Sequence, residues 1–333
     1  MQITYIETES KDAAFHFSVE EYILRHFPLK QPVMMIWQAD RCVMLGSYQV
    51  ANAEIDIGRA SRENVQIVRR SSGGGAIYND LGVLLYTIIT PYEQGQHPQQ
   101  AARDKAADII VRALNQMGVP AKFEGRNDII VDGKKVSGLA QYARDGRICT
   151  HGSLLYDADL EMLAQILRVD EEKIRSKAIR SVRSRVTNIA EHINPGYSTA
   201  QFMEKLKWHI FKTVQPERYE LCADDLARVD EIFQSKYNNP SWTFGQSPKF
   251  TFHNSRRFAA GRVGVYLDIA QGSVASCSIR GDFLGTVPIR GLEEQLENKT
   301  FTYQEFAAAL DEISLQPYLG GISKSELLSC IFD

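Results

Sequence analysis

Four short β-rich runs, at residues 33–37, 42–45, 65–68 and 84–90, stand between two segments of helical spacing, so the chain has to lay helices on a sheet. The first helical segment, residues 12–27, sets Phe15, Val19, Tyr22, Ile23 and Phe27 three and four positions apart. The second, residues 99–117, stops at Gly118 ahead of Pro120. Residues 128–136 read as strand, Asp132-Gly133 turn and strand, because that pair tolerates the positive φ angles of a tight hairpin. Helical patterns return at 160–167, 198–214 and 224–237, and the last leads into a turn-rich stretch with Asn238, Asn239, Pro240 and Gly245. A boundary there divides the chain into residues 1–245 and 246–333, and 333 residues suit one large and one smaller core. In the smaller part, 263–269 and 274–279 form a hairpin, followed by two short helices at 292–297 and 303–313.

No apolar run approaches bilayer length, and the polar, acid-bearing start from Met1 to Lys11 lacks the pattern of a secretory signal. A cytoplasmic location is therefore expected. The five cysteines are odd in number and scattered, without a CxxC pair, which points to reduced thiols rather than zinc or redox chemistry. A net charge of −3 gives no global attraction to nucleic acid or an anionic membrane, so any basic site must be local.

Four local features carry chemistry. Arg69-Arg70-Ser71-Ser72-Gly73-Gly74-Gly75 follows a strand, where glycine freedom and backbone N–H groups let a turn approach an anion, although a plain surface turn has the same composition. It is neither a Walker loop nor a dinucleotide fingerprint. Asn127-Asp128 and Lys135 lie on adjacent antiparallel strands and can face one pocket; alternation puts Lys135 and Ser137 on one face and leaves Lys134 to solvent. For Lys135 taken alone, a solvated surface position is the default. His151-Gly152-Ser153 offers a histidine that serves equally as a structural side chain. Between Lys173 and Arg185 stand six basic residues and no carboxylate, which form either a solvated face or a phosphate site.

Taken in order, these segments resemble the lipoate-protein ligase family over nearly the whole chain. The resemblance runs through residues 16–22 (HFSVEEY), Leu45-Gly46 with Gln49 and Asn52, the run from Arg69 to Gly75, and Gly125-Arg126-Asn127-Asp128. It continues through Lys135-Val136-Ser137-Gly138, His151-Gly152-Ser153-Leu154-Leu155 and residues 181–188 (SVRSRVTN). It implies an α/β (α+β) fold: a biotin/lipoate ligase-like catalytic domain with a mixed sheet and flanking helices, then a small α/β accessory domain. Gly281-Asp282-Phe283 and Gly320-Gly321-Ile322 resemble motifs of the latter. The implied catalytic group is Lys135. Arg70, Ser72, Gly74, Gly75, Ala76, Asn79, Lys135, Ser137, Gly138 and His151 correspond to the lipoate and lipoyl-AMP site. Asn127, Asp128, Lys135, Ser181, Val182, Arg183 and Ser184 correspond to the ATP and adenylate site, with Asp128 as a magnesium ligand.

The implied activity is activation of lipoate, or octanoate, by ATP and Mg²⁺, with transfer to a lysine of lipoyl carrier domains. The family's carriers are 2-oxoacid dehydrogenase E2 subunits and the glycine cleavage H protein; nucleic acid and membranes are not among the expected partners. Where many members read His-Asp-Leu-Gly-Asn, this chain has Asn79-Asp80-Leu81-Gly82-Val83, a change that bears on acyl preference. One rival is a lipoyl or octanoyl transferase working through a cysteine thioester without ATP. Such enzymes resemble Ser-Pro-x-Cys-Phe where this chain has Gly125-Arg126-Asn127-Asp128-Ile129. Another is a catalytically silent lipoate- or nucleotide-binding protein, against which Lys135 and Asp128 stand. Cys149, two positions before His151, is expected to be a small buried hydrophobe and not a nucleophile.

Overall fold

The computed structural model describes residues 1–93, 98–166, 185–193, 196–245, 250–270 and 272–332. Its strands, in chain order, are β1 (Gln2–Ile6), β2 (Val33–Trp37), β3 (Cys42–Leu45), β4 (Gln66–Arg69), β5 (Ile77–Asn79), β6 (Val83–Pro91) and β7 (Ala121–Glu124). They continue as β8 (Asp128–Val131), β9 (Lys134–Arg144), β10 (Arg147–Leu155), β11 (Gln215–Tyr219), β12 (Phe252–Phe258), β13 (Gly261–Ala270) and β14 (Ser273–Gly281). Among the described residues one mixed sheet has the order β11-β1-β2-β6-β10-β9-β8-β7, and a small sheet has the order β4-β3-β5. The β12-β13-β14 sheet belongs to the C-terminal part.

Helices cover both faces of the large sheet, as the helical spacing predicts. The helix Ala13–Arg25 packs its apolar face, with Phe17, Val19 and Ile23, against Met35, Trp37, Leu85 and Cys149. Asp12 caps its start by accepting from the Ala14 N–H at 2.8 Å. On the other face the helices Gln99–Gln116 and Thr199–Thr213 bury Ile110, Leu114, Phe202 and Leu206 against Ile36, Leu84 and Tyr86. The two faces separate cleanly because neighbouring residues of β2 and β6 point opposite ways.

The structure departs from the sequence reading in several places. The turn-rich stretch ends in a short helix, Pro240–Phe244, capped by Asn239 with proline in its first turn. Four helices follow the C-terminal hairpin, at Arg290–Leu296, Tyr303–Asp311, Gln316–Leu319 and Lys324–Phe332, where two are expected. The strand predicted at 65–68 is displaced by one residue, so that Arg69 lies within β4.

The chain crosses from one part to the other through backbone contacts. The Gly281 N–H donates to the Tyr48 carbonyl at 2.9 Å, the Ala143 N–H to the Thr286 carbonyl at 2.7 Å, and the Tyr48 ring stacks on Phe283 at 4.9 Å. Among the described residues no helix is long and apolar enough to cross a membrane.

Candidate active site

A cavity of ≈ 230 Å³ opens between the large sheet and the small one. Part of its wall is apolar, with Phe17, Trp37, Met44, Ile77 and Leu85; elsewhere it carries Arg70, Asn127, Lys135 and His151, with Gly74, Gly75 and Ala76 along the glycine loop and Gly138 on β9. A long apolar chain with one polar head suits such a wall.

The hairpin forms as predicted, with Asp132 at φ 48 and Gly133 at φ 76. Its register shifts between Ile129 and Ile130, a bulge that pairs Ile130 with Lys135 while Ile129 faces Ser137. The result aims Lys135 at Asp128, with Nζ 2.7 Å from Oδ1. Lys134 is exposed and Val136 lies in the core. Gly138 makes the pair possible: a Cβ there would stand 2.7 Å from the Lys135 Nζ and 2.9 Å from its Cε. Asn127 is fixed beside them, donating from Nδ2 to the Leu139 carbonyl at 2.8 Å.

The glycine loop is held from within by Arg70. That side chain is buried and donates to the carbonyls of Met44, Gly73 and Gly75, each at 2.8 Å, and to the Ser72 hydroxyl at 3.1 Å. Burial lowers its pKa to about 10, with Glu20 opposing the shift, so it remains a cation at neutral pH. From outside, the Phe283 carbonyl accepts the Gly74 N–H at 3.0 Å, and a Cβ on Gly73 would come within 2.4 Å of that same oxygen. Gly74 itself sits at φ +94, where side chains are strained.

Behind the cavity lies a buried chain of hydrogen bonds that the sequence reading did not assemble. Glu20, 1 % exposed, places both carboxylate oxygens 3.0 Å from the His151 Nδ1. A carboxylate can only accept, so Nδ1 carries a proton towards Glu20, and Nε2 lies 2.6 Å from the Ser72 hydroxyl. Thr87 also donates to Glu20, at 2.6 Å, and accepts the indole N–H of Trp37 at 3.1 Å. One carboxylate therefore orients two wall residues, Trp37 and His151. The signal in the sequence was an acid, Glu20, three positions from both Phe17 and Ile23 on a core-facing helix.

Of the expected site residues, the structure gathers Arg70, Gly74, Gly75, Ala76, Asn127, Lys135, Gly138 and His151 on the cavity wall. Ser72 and Ser137 stand behind that wall, Ser72 on His151 and Ser137 within 3.3 Å of the Tyr86 hydroxyl, while Asn79 is fully buried on β5, its side-chain amide without a hydrogen-bond partner among the described residues. Asp128 reaches the site through Lys135. Ser181, Val182, Arg183 and Ser184 lie outside the described residues, although the segment just after them seats on the same strand, where the Thr187 N–H donates to the Lys135 carbonyl at 3.1 Å. Cys149 is buried on β10, and burial pushes its thiol well above the ordinary range, opposite to an activated thiolate.

Comparison with known proteins places this geometry. The lipoyl protein ligase A/B catalytic domain matches residues 12–211, and the bacterial lipoate protein ligase C-terminus matches residues 247–331. The lipoate-protein ligase LplJ of Bacillus subtilis (strain 168) is 35% identical over 325 residues, covering 96% of this chain and 97% of that one. The structure of P. falciparum LipL1 in complex with lipoate superposes with a TM-score of 0.78 at 19% identity, over 94% of this chain and 95% of that one. A bi-partite lipoate protein ligase from Thermoplasma acidophilum, studied with its E2 lipoyl domain, gives 0.68 at 26% identity, over 76% of this chain and 100% of that one. The ordered motifs, the two-part architecture and a full-length relative above 30% identity agree, and the chain belongs to the lipoate-protein ligase family.

Proposed function

We propose that the ligase activates lipoate with ATP to form lipoyl-AMP and pyrophosphate, then transfers the lipoyl group to a lysine of a lipoyl carrier domain, an E2 subunit or the glycine cleavage H protein. The observation that carries this reading is the Lys135–Asp128 pair beside an apolar cavity, where an acyl chain can lie with its carboxylate near a fixed ammonium. In the first step two anions meet, and Lys135 offsets their repulsion while Asn127 donates beside it. In the second, the carrier amine attacks the mixed anhydride and Lys135 stabilises the oxygen that gains charge. No enzyme nucleophile is needed, since the adenylate is already an activated acyl donor. Arg70 keeps the glycine loop in shape, while Ser72 and His151 hold the wall against which the acyl chain packs; Ser137 supports it from behind, and Asn79 is assigned to the same acyl site.

Asp128 is the residue that would hold Mg²⁺, and the ion would supply further positive charge beside Lys135. Octanoate, which lacks the dithiolane ring, is the second acid to be tested against the same apolar wall. The chemistry is assigned to residues 1–245 and the accessory role to residues 246–333, a division supported by the two family matches falling on either side of it. A cytoplasmic setting is supported by five unpaired cysteines, four of them buried.

The test is the intact mass of an isolated lipoyl domain after incubation with the enzyme, Mg²⁺, ATP and lipoate or octanoate in turn. A lipoyl adduct that requires ATP is expected. Acylation without ATP, from a thioester donor, would replace this reading with the cysteine-dependent transferase.

Gly138→Ala gives a narrower check on the same site. The new methyl group has to displace the Lys135 side chain, which can swing away, so the fold should survive. A shift of about 1 Å in such a group costs roughly 10²-fold in rate, and that loss is expected in both half-reactions. Unchanged rates in a folded variant would remove Lys135 from its assigned place.

A further inference from the structure

Cys149 stands two positions before His151 on β10, so both side chains leave the same face of the strand, and Glu20 meets them from the helix Ala13–Arg25. The Cys149 Sγ, a ring nitrogen of His151 and a carboxylate oxygen of Glu20 all lie within 4.8 Å of one another, and all three residues are buried. Thiolate, imidazole and carboxylate are the ligand types that zinc takes, and around one ion such atoms stand about 3.3–3.6 Å apart, a contraction within the reach of small side-chain rotations. The imidazole and the carboxylate are already at 3.0 Å. Two of the three also carry the outer hydrogen bonds that hold metal-binding side chains in place. Thr87 donates to Glu20 at 2.6 Å, and the Ser72 hydroxyl lies 2.6 Å from the His151 Nε2. Across the ladder Cys149 pairs with Tyr142 of β9, whose buried hydroxyl has no hydrogen-bond partner among the described residues. Burial, then the neighbouring Cys149, raises the pKa of that phenol well above the ordinary range, which puts the hydroxyl beside the thiol. His151 belongs to the wall of the acyl cavity and so gives an ion its way in.

We infer that Glu20, Cys149 and His151 form a regulatory site for Zn²⁺, through which the metal inhibits the enzyme from behind the acyl wall. Coordination breaks the S–H bond of Cys149: the proton leaves to solvent and the thiolate lone pair forms the bond to zinc. The imidazole offers its Nδ1 lone pair and keeps its proton on Nε2, towards Ser72. No electron changes hands. A divalent ion between two anionic ligands leaves the site with no net charge, so its burial is tolerated. Mg²⁺, a hard ion served by oxygen ligands, does not compete for a site that offers sulfur and nitrogen. The cost falls on the wall. A carboxylate turned to the metal loosens its hold on Thr87, and through it on Trp37, while His151 is drawn back from the surface that the acyl chain meets. The inhibition rests on the activity proposed above, whereas metal binding stands apart from it.

The test titrates the full chain with Co²⁺, a spectroscopic substitute for Zn²⁺, and reads the near-ultraviolet charge-transfer band of a cobalt–thiolate bond. One equivalent is expected to produce the band, and Zn²⁺ to remove it by exchange. Cys149→Ser and Cys149→Ala should each abolish it and weaken binding by at least about 100-fold, since loss of an outer hydrogen bond alone costs 10–100-fold. Cys222→Ser, at the exposed cysteine, should leave the band intact. Lipoate affinity, measured by calorimetry without ATP, should fall about ten-fold when the site holds Zn²⁺, and by reciprocity lipoate should weaken Zn²⁺ to the same degree. In Cys149→Ser, Zn²⁺ should leave lipoate affinity unchanged, and the metal-free variant should adenylate lipoate at the wild-type rate. The inference is overturned by a wild type without the band, by a band that survives in both Cys149 variants, or by one that vanishes in Cys222→Ser, which would mean an adventitious ion only. Equal lipoate affinity with and without bound Zn²⁺ would overturn it as well. A metal-free wild type that takes up Co²⁺ but does not adenylate lipoate would instead defeat the ligase reading and leave the metal site standing.

Discussion

Lys135→Ala is expected to slow both pyrophosphate release and carrier acylation by roughly 10² to 10³, the usual cost of removing a preorganised electrostatic donor. The ammonium is held for both steps by one arrangement: Asp128 at 2.7 Å, a glycine at 138 that leaves it room, and a bulge that turns its strand towards the cavity. Lys135→Arg should rescue poorly, because a planar fork does not fit where a compact point charge does. Lys134→Ala is the internal control, since its side chain is exposed on the other face of the hairpin and its loss should leave rates near normal. The two half-reactions are measured separately, with the fold checked by circular dichroism. Near-normal rates for Lys135→Ala in both would sink the mechanism.

A second large effect is expected from Arg69, next to the glycine loop, and it should appear in stability. This side chain is fully buried and has no carboxylate among its hydrogen-bond partners. Nη1 donates to the carbonyls of Gly46 and Gln49, each at 2.7 Å, and Nη2 to that of Thr243 at 2.7 Å; Nε reaches Trp242 and Thr243 at 3.0 Å. The Trp242 indole returns a hydrogen bond to the Arg69 carbonyl at 2.9 Å. Burial, with Arg280 and Arg70 adding repulsion, lowers the pKa to about 10, and the charge is tolerated because carbonyl oxygens surround it. Arg69→Met keeps the bulk and strands several of these acceptors, each costing about 1–3 kcal/mol when left buried and unmet, so a total loss of roughly 3–5 kcal/mol is expected after relaxation. Urea denaturation reads it directly, and a loss below about 1 kcal/mol would show that water replaces the guanidinium freely.

Those two arginines show what a sequence displays and what it hides. The pair Arg69-Arg70 ahead of three glycines reads as an anion-binding turn, and the loop does line the cavity. Yet both guanidinium groups are directed to backbone carbonyls, an outcome set by distant segments such as Pro240–Phe244 that local pattern cannot place. The hairpin was legible because Asp132-Gly133 determines its own turn, and Lys135 and Ser137 follow from it by counting; the bulge between Ile129 and Ile130 was not, since it depends on the partner strand. Strands β1 and β11 were also missed. They pair in parallel at the sheet edge, and β11, with Gln215, Pro216 and Glu217, has none of the apolar alternation that marks a half-buried strand. Glu20 was visible as an acid on a core-facing helix, but its meaning came only with His151 and Thr87, 131 and 67 residues away.

The contact of Phe283 with the glycine loop, and of Leu284 with the cavity, also fixes how the site responds to dilution. A wall contributed by a separate polypeptide would be present only in proportion to the occupancy of that complex, and the enzyme would fade as its concentration fell. Here the wall is covalently tethered, so it meets the loop at an effective concentration on the order of millimolar whatever the amount of enzyme. Seating and unseating become a first-order equilibrium of one molecule, tunable by the few hydrogen bonds at Tyr48, Gly74 and Ala143 and indifferent to how scarce the protein is in the cell.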